Sequence, residues 1–145
     1  MNNLPPYWGR ASFTVAEVAE MIGVTEDALR GWLARNPEPA FIGNRYGRRV
    51  YLSCKDAFYY LVVAELAEFG VNVRVAMYNA ARLTPADSLP RHDYLFVRKK
   101  APGIAEFELT DDPRIDDQPA LILPLKALAN VLIEDAARVY AREEQ

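Results

Sequence analysis

The chain has 145 residues, of which 51% are hydrophobic and 26% charged, enough apolar content for one ordinary domain or two very small ones. No apolar run nears the roughly 20 residues that cross a bilayer, the opening residues lack the basic and apolar segments of a signal peptide, and the single cysteine, Cys54, excludes an internal disulfide. The net charge of −3 argues at face value against nucleic acid, but residues 1–83 hold nine Lys/Arg against eight Asp/Glu, whereas residues 84–145 hold eight against twelve.

Residues 1–12, with Leu4-Pro5-Pro6-Tyr7-Trp8-Gly9 at their centre, read as an extended leader. A helix is expected from Thr14, whose hydroxyl can cap it, with Glu17 completing a capping box and Phe13 ahead of the cap as a staple. Val15, Val18, Ala19 and Ile22 recur at helical spacing, and Gly23 ends the helix. Thr25 caps a second helix whose first turn carries Glu26 and Asp27, where the helix dipole favours acids. Its apolar face is Ala28, Leu29, Trp32 and Leu33, and Asn36-Pro37-Glu38-Pro39 stops it.

Residues 40–42 and 49–52 read as two short strands of a hairpin turning through 43–47. Ser53 and Asp56 form a second capping box, opening a third helix with Phe58, Leu61, Val62, Leu66 and Phe69 on one face and Gly70 at its end. A fourth helix is expected from Asn72 to Leu83, with Val73, Ala76, Met77 and Ala80 inward. Residues 84–92 have linker composition. Beyond them, strands are expected at 94–98, at 105–110 and at 121–123, then a helix of about 18 residues opening on Pro124. Its stripe of Leu125, Leu128, Leu132, Ala136 and Val139 either pairs with its copy in a dimer or covers the small sheet.

The first two helices carry the packing signature of a helix-turn-helix. Ala19 is small where the second helix must cross, Gly23 stands where the turn needs a left-handed residue, and apolar residues flank both. The second helix then presents Thr25, Glu26, Asp27, Arg30, Gly31, Ala34 and Arg35 outward. Arg30 can reach a guanine edge or a phosphate, Thr25 can donate to phosphate, and Gly31 lets backbone approach the groove. Asp27 and its neighbour Glu26 either serve the helix dipole or accept from a cytosine amine. Arg45, Tyr46, Arg48 and Arg49, with Tyr51 just after, concentrate charge on the hairpin in an otherwise acidic chain.

Phe13 to Ala19, Gly23-Val24-Thr25, Ala28-Leu29-Arg30-Gly31-Trp32 and Gly47-Arg48-Arg49-Val50-Tyr51-Leu52-Ser53 together resemble the winged helix-turn-helix of MerR-type regulators. The resemblance covers residues 12–83 and implies that Arg30, Arg49 and Tyr51 contact the DNA backbone. Gly31 stands where the family usually has an aromatic residue, 36–39 form an unusual link to the wing, and a linker, strands and a helix stand in place of the family's long dimerisation helix. The motif also occurs in phage excisionases and small terminase subunits.

The expected architecture is therefore α+β: a MerR-like winged helix-turn-helix over 13–83, a linker, and a small β-β-β-α region over 93–145. The expected function is sequence-specific binding of double-stranded DNA by a cytoplasmic, nucleoid-associated homodimeric regulator, through Thr25, Asp27, Arg30, Gly31, Arg35, Arg45, Tyr46, Arg48, Arg49 and Tyr51. A phage-type architectural factor, or a protein-interaction module on the same scaffold using 93–145, is the alternative. No catalytic constellation, metal or cofactor is indicated. His92 reads as solvated, Cys54 as a buried small apolar residue, and Asp111, Asp112, Asp116 and Asp117 as a solvated loop lacking the glycine and terminal glutamate of a calcium loop.

Overall fold

The computed structural model describes residues 4–85 and 88–143; the first three residues of the expected leader and residues 86 and 87 of the expected linker lie outside the described residues. The chain is mixed α+β, with five helices and two three-stranded antiparallel sheets among the described residues. After a 3-10 turn at Pro6–Trp8 come β1 (Phe13–Thr14), α1 (Val15–Ile22), α2 (Glu26–Arg35), a second 3-10 turn at Pro39–Phe41, β2 (Asn44–Tyr46), β3 (Arg49–Leu52), α3 (Cys54–Phe69) and α4 (Val73–Leu83). The remainder is β4 (Tyr94–Ala101), β5 (Ile104–Thr110), β6 (Ala120–Pro124) and α5 (Leu125–Glu143).

The capping residues act as their types dictate. The Thr14 hydroxyl accepts from Glu17 N at 3.1 Å while the Glu17 carboxylate accepts from Thr14 N at 2.9 Å, and Ser53 and Asp56 repeat the exchange at 3.0 and 2.9 Å. Thr25 accepts from Ala28 N and Asn72 from Arg74 N, opening α2 and α4. Between α1 and α2 the chain reverses at Gly23, whose φ of 75° is the left-handed value a side chain disfavours. Val24 N then donates to Ala19 O, so the turn consumes the carbonyls that α1 leaves open.

The core is organised on α3. It was expected to bury one face, but Tyr59, Tyr60 and Val63 are buried as fully as Phe58, Val62 and Leu66, while Leu61 and Phe69 are only half-buried. The reason is position: α1, α4, α5 and the Pro6–Trp8 turn all pack against this helix. The leader is accordingly not wholly extended. Its 3-10 turn buries Tyr7 and Trp8, with Tyr7 edge-on to Phe13 at 5.8 Å and its hydroxyl donating to Ile133 O on α5.

The first sheet has the order β1-β3-β2 and the second β5-β4-β6. In the second, Leu95 and Val97 of β4 face the core with Leu123 of β6, while Phe96 and Arg98 face the other way. The α5 stripe closes the same core: Leu125, Ala129, Leu132, Ala136 and Val139 are buried in one hydrophobic cluster with α1, α3 and the second sheet. That stripe is spent within the chain and is not free to form a coiled coil with its copy. Pro124 ends β6, paired with Tyr94, and the helix begins one residue later than expected.

Candidate nucleic-acid interface

The hairpin differs from the expected one. Pro39 and its neighbours fold as a 3-10 turn, because Pro39 supplies a fixed φ at the turn's start and Phe41 stacks on Tyr59 with centroids 4.1 Å apart. The first strand therefore begins at Asn44, and the loop is only Gly47-Arg48. Gly47, at φ 63°, occupies the first loop position, where a two-residue hairpin of type II′ requires glycine.

This register sorts the hairpin side chains. Tyr46 faces Arg49 across the strands and Asn44 faces Tyr51, so these four share one face of the sheet. Tyr46 and Tyr51 pack edge to face at 5.9 Å on it. Arg45 pairs with Val50 and lies on the opposite face, and Arg48 is in the loop. The sequence grouped the three arginines; the strand period separates Arg45 from Arg49. All three are exposed, and among the described residues none forms an ion pair.

Helix α2 is anchored by Leu29, which is fully buried, with Trp32 and Leu33 half-buried beside it. Its outer residues Thr25, Asp27, Arg30 and Arg35 are exposed. Two of them are engaged within the helix. Arg30 Nε donates to Glu26 Oε2 at 2.8 Å, one turn earlier. Arg35 Nε donates to Gly31 O at 3.1 Å, and its guanidinium covers Gly31 so closely that a Cβ there would meet Arg35 Nη2 at 3.0 Å. Gly31 thus makes room for an arginine of its own helix. The Glu26–Arg30 pairing was legible in the spacing of four residues; the fold-back of Arg35 was not.

Sequence reasoning did not single out Asn36, which ends α2. Its side-chain amide donates to Tyr60 Oη at 2.9 Å, and its carbonyl oxygen accepts from Tyr59 Oη at 3.3 Å and from Glu38 N at 2.9 Å. Tyr59 Oη also donates to Met77 O at 3.3 Å. One asparagine thereby ties the end of α2 to α3 and, through Tyr59, to α4. Burial pushes the Tyr59 phenol up to about 12 and the Tyr60 phenol up as well, so both stay protonated, Tyr59 donating and Tyr60 accepting from Asn36.

The groups with chemical potential elsewhere are built into the fold. Cys54 is buried in the first turn of α3, and desolvation, helped by Asp56, pushes its thiol up to about 12; burial outweighs the helix dipole there. Asp116 ion-pairs with Arg98 at 2.5 Å, which holds the acidic segment to β4. Among the described residues no His/Cys/Asp/Glu group could hold a metal ion, and no helix is long and apolar enough to cross a membrane. No family model matches the chain, and no curated protein matches it.

Proposed function

We propose that the protein binds double-stranded DNA through α2 and the β2–β3 hairpin, as a winged helix-turn-helix, and acts as a transcriptional regulator. The observation that carries the reading is the free charge of the hairpin. Among the described residues Arg48 and Arg49 have no acidic partner, and they project beside two exposed or half-exposed tyrosines, directly after a pair of helices joined through a left-handed Gly23. Guanidiniums on a protruding hairpin track phosphates, and tyrosine hydroxyls add contacts to sugar and phosphate. The resemblance of residues 12–83 to MerR-type regulators supports the same reading.

Within this proposal the hairpin supplies affinity and α2 supplies position. Thr25 donates its own hydroxyl or backbone N–H to a phosphate, and Arg30 reaches bases or backbone only by exchanging Glu26 for DNA. A homodimer is proposed because one such unit spans few base pairs, and two-fold symmetry doubles the site. Fluorescence anisotropy of a labelled duplex pool at low salt tests the reading. Binding that weakens at least tenfold in the Arg48→Ala, Arg49→Ala double variant supports it, and absence of duplex binding by the intact chain removes it.

A further inference from the structure

Behind the outer face of α2 lies a cleft of about 360 Å³, walled by Trp32 and Arg35 of α2 and by Val73, Arg74 and Met77 of α4. That volume suffices for a small molecule. Among the described residues no acidic side chain lines it and neither Arg35 nor Arg74 forms an ion pair, in a chain whose net charge is −3. Its floor is an indole, a thioether and a valine, with Met77 almost fully buried and Trp32 half-buried. The Arg35 guanidinium is already held, by its bond to Gly31 O and by the space that glycine leaves. Two cations, one of them held, beside an indole and a thioether complement one ligand chemistry, a planar ring carrying an acid group.

We propose that the cleft between α2 and α4 binds a small aromatic anion, its ring against Trp32 and Met77 and its acid group between Arg35 and Arg74. Such a ligand shares Arg35 with the proposed DNA contact, so the two would compete. That link rests on the DNA reading; the cleft itself does not.

The probe is 8-anilinonaphthalene-1-sulfonate, titrated into the intact chain by fluorescence and by calorimetry. The expected result is one saturable site, weakened roughly tenfold by Arg74→Gln, an exposed position whose loss leaves the core intact. Arg82→Gln, farther along α4 with its guanidinium over Tyr78, serves as the control and leaves binding unchanged. Gly31→Ala, which displaces the Arg35 guanidinium, weakens the probe several-fold while holding or raising Tm, because alanine favours a helix over glycine. Sodium phosphate at the probe's own concentrations leaves the signal in place. Unsaturable binding, equal loss in Arg74→Gln and Arg82→Gln, unchanged affinity in Gly31→Ala, or displacement by equimolar phosphate would overturn the proposal.

Discussion

Arg30 and Glu26 stand one turn apart on α2, joined from Nε to Oε2 at 2.8 Å. The pair engages the cation in the middle of that helix and, among the described residues, leaves Asp27 as the nearest unpaired charge. Both partners are about half exposed, so the bond itself adds little stability. Its consequence is for binding. Glu26→Gln frees Arg30 and deletes one negative charge, and duplex affinity at low salt is expected to rise by about 1 kcal/mol, roughly fivefold. Unchanged or weaker binding in anisotropy titrations would show that α2 does not face DNA.

The strand register makes a sharper distinction among the hairpin arginines. Arg49 shares a face with Tyr46 and Tyr51, while Arg45 lies opposite with Val50. If the tyrosine face lies on the duplex, Arg49→Ala weakens binding several-fold more than Arg45→Ala at the same salt. Equal losses would place the hairpin edge-on, and a larger loss at Arg45 would reverse the face.

Asn36 is expected to matter for the fold before it matters for any ligand. Replacing it by alanine takes partners from both Tyr59 and Tyr60, whose hydroxyls sit in largely desolvated surroundings. The cost is about 1–3 kcal/mol, read as a lowered urea midpoint at unchanged slope. Tyr60→Phe alone, which removes one hydroxyl and keeps the ring, costs less.

Asp56 supplies a pH test. Its Oδ2 accepts from Ser53 N, yet among the described residues its Oδ1 has no partner, and burial raises its pKa above the ordinary aspartate value despite the Ser53 bonds. A carboxyl with a raised folded-state pKa favours the folded state while protonated. That contribution is complete below its unfolded value and is lost as pH rises through the folded one. The chain should therefore gain thermal stability relative to its Asp56→Asn variant when pH is lowered from neutrality toward 4. A Tm difference independent of pH would show that Asp56 is not desolvated.

The capping chemistry explains how much of this was legible from residues alone. Thr14 with Glu17, and Ser53 with Asp56, carry their geometry in their own side chains, so the starts of α1 and α3 needed no tertiary knowledge. The face of α3 did: Tyr59 and Tyr60 look amphipathic in sequence and become core only because helices pack on several sides. Pro124 is equally suited to a strand end or a helix start, and pairing with Tyr94 decided for the strand. Of the candidate interface, residue types were visible but their orientation was not. A shift of the hairpin loop to Gly47-Arg48 fixes which arginine faces which tyrosine, and the space over Gly31 acquires meaning only once Arg35 folds into it.

The most direct test of DNA binding is the salt dependence of duplex affinity for the intact chain and for a variant with Arg45, Arg48 and Arg49 all replaced by alanine. Counterion release predicts that log affinity falls linearly with log salt, and that the triple variant flattens the slope by about two to three for each bound protomer. A parallel slope in the two proteins, or an affinity indifferent to salt, would contradict the account.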